Sequence, residues 1–318
     1  MTEKLITEQD IISARDVITG QLYRTPMQRS SFLGDEFGVR LYLKLEMFQK
    51  TGSFKPRGVL NRLNHMPQEE KEKGVITLSA GNHAQAVAWA AAQAGVPATV
   101  VMPAAAVQAK VDATRGYGGE VIQTDGDLLQ TCMVIREERD LTLVHPFDHL
   151  DTIAGTGTLG MELVEDVPDL DVVVAGVGGG GLISGVAAAL KLRKPDVTVI
   201  GVEPEGAPTM TCSLQEGEPV HLSHLDTIAD GLAAPFVGVH NLRHVQAYVD
   251  DLVLVSDKEI VHAMGVILER CKVLAEPAAA STVAALLAGK ITITGGQTIA
   301  CILSGGNIDR ERLCVVLG

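Results

Sequence analysis

The chain has 318 residues, of which 46% are hydrophobic, and a formal net charge of −13. That length suits two α/β units with a sizeable core, and the acidic balance removes the basic face that a nucleic-acid backbone requires. No apolar run reaches the ~20 residues that span a bilayer, and the opening stretch MTEKLITEQD lacks the apolar core of a secretion signal. A soluble, cytoplasmic protein with no nucleic-acid or membrane partner is therefore expected.

In chain order, the first fifty residues show no clear rhythm. TGSFKPRG (51–58) then opens a helix: Ser53 reads as its N-cap, Pro56 suits the first turn, and Val59, Leu63 and Met66 recur at helical spacing. GVITLSAG reads as a strand feeding the helix NHAQAVAWAAAQAG, with Gly95 as its C-cap. VPATVVMP, AAAVQAKVDATRGYG, EVIQTD and a helical stretch to Arg139 continue the alternation. HPFDHLDTIAGTGT (145–158) interrupts it and reads as a crossing between domains. DVVVAGVGGGG, LISGVAAALKLRK and VTVIGVEPEG resume it. A polar run from about 203 to 251 interrupts it again, and Gly289 ends a later helix. Strand–helix alternation of this kind predicts parallel sheets covered by helices on both faces. The five cysteines are odd in number and widely spaced, with no metal spacing, and read as reduced, buried thiols.

Four segments carry chemistry. Lys55 stands at a helix start beside Phe54, where the helix dipole and burial both disfavour an ammonium. A lysine held near neutrality suits Schiff-base chemistry, although the motif alone reads more readily as a lysine snorkelling to solvent. SAGNHAQ (79–85) joins a strand to a helix whose free N–H groups make an anion site. Its bland alternative is an ordinary turn with an asparagine cap. Gly178 to Gly181 can wrap successive N–H groups around a phosphate, and four glycines cost too much backbone entropy for a plain turn. CILSGGNID (301–309) ends a buried strand in Ser304. A rival reading remains open here. Gly176-x-Gly178-x-x-Gly181 also meets the dinucleotide fingerprint, with Glu203 as the ribose acid of an NAD-dependent oxidoreductase. That fingerprint accounts for neither Lys55 nor SAGNHAQ.

SFKPRG, SAGNHAQ, VGGGGL and SGGN, in this order, resemble the pyridoxal 5′-phosphate (PLP) enzymes of fold type II, the tryptophan-synthase-β type. Within them the chain is similar to the short threonine/serine dehydratases over nearly its whole length; TIADGLA (227–233) and EPAAA (276–280) also fit. The resemblance implies two domains, each a mainly parallel twisted sheet flanked by helices. Residues 1–50 and 147–318 would form a large PLP-binding domain, and 51–146 a small mobile one. It implies that Lys55 forms the Schiff base and then removes the α-proton, and that Phe54 packs near the ring. Asn82 would bond the ring's 3′-oxygen, and the N–H groups of Gly178, Gly179, Gly180, Gly181 and Leu182 would hold the phosphate. Ser304 would face the pyridine nitrogen, where a hydroxyl makes a weaker electron sink than a carboxylate and favours β-elimination. Ser79, Ala80, Gly81, Asn82 and His83 would cradle the substrate carboxylate.

The activity implied is dehydration of a 3-hydroxy amino acid, L-threonine or L-serine, to the 2-oxo acid and ammonia. A serine or aspartate racemase and a 3-hydroxyaspartate dehydratase are alternatives on the same scaffold. Related serine racemases carry a second serine where this chain has Ala80, which argues for dehydration. Some relatives bind a divalent cation at positions matched by Glu203 and Ala207. The third ligand, an aspartate, is Thr209 here, so a weak divalent-cation site stays open but a tight one is not expected. AGQGT in the family is AGTGT here, which places Thr156 among the expected substrate contacts. A homodimer or homotetramer is implied, and with 14 residues after Ser304, no appended regulatory domain is expected.

Overall fold

The computed structural model describes residues 4–318. Among these described residues, ten strands form two sheets. They are β1 (Met27–Arg29), β2 (Arg40–Leu45), β3 (Val75–Leu78), β4 (Ala98–Pro103), β5 (Glu120–Thr124), β6 (Thr142–Leu143), β7 (Val172–Gly176), β8 (Thr198–Pro204), β9 (Asp251–Val255) and β10 (Thr298–Leu303). The larger sheet runs β1-β2-β10-β7-β8-β9 and the smaller β5-β4-β3-β6. Every pairing is parallel except β1 with β2.

Side-chain alternation explains why the larger sheet needs cover on both faces. Ile299, Cys301 and Leu303 of β10 join Val172 and Val174 of β7 in a core shared with helices Asp257–Val266 and Pro277–Leu287. Ala300 and Ile302, with Val173 and Ala175, face the opposite way, against helices Leu150–Asp166, Gly181–Arg193 and Val239–Tyr248. The smaller sheet divides likewise. Val100 and Met102 pack with Ala84 and Val111, while Val101 packs with Cys132 on the other side.

The interruption at HPFDHLDTIAGTGT is only partly a loop. From Leu150 it is helix, and its glycines serve close approach rather than a turn. A Cβ at Gly155 would collide with the Arg57 carbonyl and the Gly58 Cα, and one at Gly160 would lie 2.7 Å from the Val186 carbonyl. Helices Lys55–His65 and Gly181–Arg193 are thereby pinned to one shared helix, which sets their N-termini relative to each other. The polar run also holds helices, Thr209–Glu216 and Val239–Tyr248. Among the described residues, no helix is long and apolar enough to cross a membrane.

Candidate active site

The site begins at the turn before Lys55. Thr51 takes a left-handed conformation (φ 61°), and the chain then runs extended at Ser53. There it pairs antiparallel with the end of β10. Ser53 bridges Gly305, the Phe54 N–H donates to the Ser304 carbonyl (3.0 Å), and the Gly306 N–H donates to the Gly52 carbonyl (3.0 Å). This short ladder sets Lys55 beside Ser304, although 249 positions separate them in sequence. It also corrects the expected cap. Ser53 is committed to the ladder, the helix starts at Lys55 after Phe54 with no side-chain cap, and the Ser53 hydroxyl is buried without a partner.

Arg57 anchors the helix. Its guanidinium is fully buried and bonds Glu46 through Nε (2.8 Å) and Nη2 (2.9 Å), and Glu162 through Nη1 (2.7 Å) and Nη2 (3.0 Å). Nη1 also reaches the Thr158 hydroxyl at 3.3 Å. All five of its donors are used. Buried Lys44 completes the charge balance at 2.7 Å from Glu162. Burial alone would push the Glu46 carboxyl up, but Arg57 overrules it and holds Glu46 below the usual range.

Thirteen of the expected cofactor and substrate residues line one cavity of about 740 Å³: Phe54, Lys55, Ser79, Ala80, Gly81, Asn82, His83, Gly178, Gly179, Gly180, Gly181, Leu182 and Ser304. The Lys55 ammonium donates to the Pro146 carbonyl (3.1 Å) and lies 5.2 Å from the centre of the Phe54 ring. Burial pushes Lys55 down to about 8, and the Glu276 carboxylate pulls the other way.

The glycine loop joins β7 to helix Gly181–Arg193, with Gly180 left-handed (φ 92°). The N–H groups of Gly178 to Leu182 donate to no acceptor among the described residues. Side chains would not fit: a Cβ at Gly179 would lie 2.5 Å from the Phe147 ring, and one at Gly180 2.6 Å from the Met210 methyl. Orphaned donors on a side-chain-free loop at a helix start suit a phosphate. Ser304 is nearly buried, lines the same cavity and makes no side-chain hydrogen bond among the described residues. These residues fit pyridoxal phosphate.

On the smaller-sheet side, the SAGNHAQ turn follows β3. Helix Asn82–Ala94 begins there with Gly81 as its cap and no side-chain cap bond. His83 is buried with Nε2 3.2 Å from the Val144 carbonyl, and burial and the nearby Lys55 push it down to about 3. Its ring is thus neutral and brings no charge to the turn. The Asn82 amide donates to Glu276 Oε1 (2.7 Å) and accepts from Asn307 Nδ2 (2.7 Å), and Asn307 Nδ2 also donates to the Thr51 carbonyl (2.7 Å). Burial raises Glu276 to about 7, while Asn82 pulls it back.

One expectation is corrected here. Thr156 does not line the cavity. It is buried in helix Leu150–Asp166, its hydroxyl 2.9 Å from the Ile153 carbonyl and 2.8 Å from the Gly181 carbonyl. It supports the glycine loop from behind instead of touching substrate. Glu203 and Ala207 also lie off the cavity. One Glu203 oxygen accepts from the Met210 N–H (2.6 Å), and the other from the Thr211 N–H (2.9 Å) and hydroxyl (2.6 Å). Glu203 therefore caps helix Thr209–Glu216 with both carboxylate oxygens engaged, and it lies off the cavity where the rival reading would place a ribose acid.

Sequence reasoning gave no role to Glu276, Asn307 or Arg57. Glu276 and Asn307 lie 194 and 225 positions from Asn82, and no periodicity reports such contacts. Arg57 could have been suspected, because an arginine two residues into a helix with an apolar face needs buried partners.

The chain is similar in sequence to the L-threonine ammonia-lyase of Thermotoga maritima, with 44% identity over 96% of this chain and 76% of the relative. Among solved structures, it is similar to maize serine racemase (38% identity, TM-score 0.93, covering 98% of this chain and 97% of that one). It is also similar to the processed form of threonine deaminase isoform 2 from Solanum lycopersicum (37% identity, TM-score 0.90, covering 97% and 90%). A family model described as "Pyridoxal-phosphate dependent enzyme" matches residues 18–305, the span that runs from the first helix to the turn after Ser304, and the chain belongs to that family.

Proposed function

We propose that the protein is a PLP-dependent ammonia-lyase that converts L-threonine, and with it L-serine, to the 2-oxo acid and ammonia. One observation carries this reading: the lysine, the glycine loop, the SAGNHAQ turn and Ser304 converge on a single cavity that also lowers the lysine's proton affinity. The relatives named threonine ammonia-lyase and threonine deaminase supply the substrate class.

When bound, the cofactor supplies an electron sink that makes the α-proton of an amino acid acidic. The N–H groups of Gly178 to Leu182 would hold its phosphate, Asn82 would meet its ring oxygen, Phe54 would pack beside the ring and the Ser304 hydroxyl would meet its pyridine nitrogen. The Ser79–His83 turn binds the substrate carboxylate through backbone N–H groups at a helix start, since the His83 ring is neutral. Lys55 Nζ would hold the cofactor at rest. As a free amine it would take the α-proton as general base, and its depressed proton affinity keeps it unprotonated for that role. Ala80 has no proton to deliver to the opposite face, which separates this site from racemisation.

Residues 51–146 carry the smaller sheet, and we assign them to a small mobile domain against a large domain of 1–50 and 147–318. The position of the strands on either side of those limits supports the division. We also assign the protein to the cytoplasm and to a homodimer or homotetramer, the assembly resting on the resemblance.

The test is a panel of L-threonine, L-serine, 3-hydroxyaspartate and their D-isomers. 2-Oxo acid and ammonia are expected in equal amounts from L-threonine and L-serine. D-isomer formation without ammonia, or turnover of 3-hydroxyaspartate alone, would overturn the assignment.

A further inference from the structure

We propose that Asn307 and Glu276 are positioning residues that lock the Asn82 carboxamide in one orientation, so that it presents only an N–H donor to the cavity. The inference deepens the reading above, since it takes Asn82 as a contact of the bound cofactor.

Hydrogen-bond polarity carries the argument. The oxygen and nitrogen of an asparagine amide look alike, so its orientation follows from unambiguous neighbours. The Thr51 carbonyl is such a neighbour, because it can only accept. It fixes the atom 2.7 Å away as Asn307 Nδ2. That same nitrogen also lies 2.7 Å from the Asn82 amide, which must turn its oxygen toward it. Asn82 Nδ2 then faces Glu276 Oε1 at 2.7 Å, where a carboxylate accepts the bond. The chain is consistent from end to end, and each amide flip would set two donors or two acceptors face to face. Two of Asn307's donors and one of Asn82's are consumed. What remains on Asn82 Nδ2 is one N–H, on a residue that lines the cavity.

Two consequences follow. A donor at this place favours an oxyanion over a neutral hydroxyl on the ring it meets. The lock also spans both sheets: Asn82 follows β3 of the smaller one, while Asn307 follows β10 of the larger and Glu276 opens the helix Pro277–Leu287 packed on it. Asn82 thus acquires its defined orientation only when the two sides stand together. Asn307 further ties it to the left-handed turn at Thr51 that leads into Lys55.

The experiment titrates pyridoxal phosphate into cofactor-free protein and follows the visible absorbance band. The variants are N82A, E276A, E276Q, N307D and N82A/N307D, each checked for a cooperative melt without cofactor. An aspartate at 307 cannot donate to Asn82, and an alanine at 276 cannot accept from it, so each should weaken cofactor binding about tenfold. E276Q keeps a carbonyl acceptor and should stay within about threefold of wild type. N307D should add less than about twofold once Asn82 is gone. Equal losses from N307D with and without Asn82, or E276Q as damaging as E276A, would overturn the inference. If N307D does not melt cooperatively, the E276A and E276Q pair decides. Wild-type protein that binds no pyridoxal phosphate would sink the proposed function itself, whereas wild-type binding with unaffected variants overturns this inference alone.

Discussion

Arg57→Lys tests how the catalytic helix is held. The arginine spends five N–H donors on Glu46, Glu162 and Thr158 inside a region it shares with fully buried Lys44. Lysine keeps the charge but offers three donors on one point, with no forked geometry. At least two charge-assisted bonds are lost, each worth about 1.5–3 kcal/mol. Relaxation of the surroundings recovers part of that, so a loss of about 3 kcal/mol is expected, within the range for breaking a buried ion pair. Urea unfolding of the cofactor-free protein should show a lower midpoint with an unchanged slope. Because Lys55 lies two residues away on the same first turn, the variant should also trap cofactor more slowly. A loss under about 1 kcal/mol would refute the claim that this cluster anchors the helix, since that is the range of an exposed pair.

Two further predictions concern the cofactor site. Gly179→Ala places a methyl 2.5 Å from the Phe147 ring, and should weaken pyridoxal phosphate binding at least about tenfold, read by the same absorbance titration. Adding Phe147→Ala restores space and should recover much of that affinity; no recovery would show that the loop's conformation, and not the ring, forbids a side chain. The second concerns pH. Lys55 reacts as a neutral amine, so the rate of cofactor capture should rise with pH and level off above about 8, followed by stopped flow. Its folded value lies below the ordinary 10.5, so the unfolded chain holds more protons between these values. Cofactor-free protein should therefore gain stability as pH climbs from about 8 to about 10.5. Removing the Glu276 charge should move the capture break to lower pH, and an unmoved break would contradict the coupling between the two groups.

Much of the architecture was legible because it is local. Alternating apolar strands and alanine-rich helices report period and burial directly, and Gly95 ends its helix left-handed, as its position implied. The glycine run was legible because no bland role explains four in a row. What escaped depends on distant pairing. Ser53 looks like a cap until Gly305 arrives to pair with it. The glycines at 155 and 160 look like breakers until the backbones of neighbouring helices press against them. Thr156 resembles a substrate contact because it occupies that position in a motif, yet its side chain turns toward the Gly181 carbonyl. The Asn307–Asn82–Glu276 chain joins three segments that no spacing relates.

The most direct test of the account is to reduce the cofactor-loaded protein with borohydride, digest it and weigh the peptides. The account predicts one adduct, the reduced pyridoxyl group on Lys55, blocked when Lys55 is replaced by alanine. An adduct on another lysine, or none on a protein that turns over L-threonine, would contradict it.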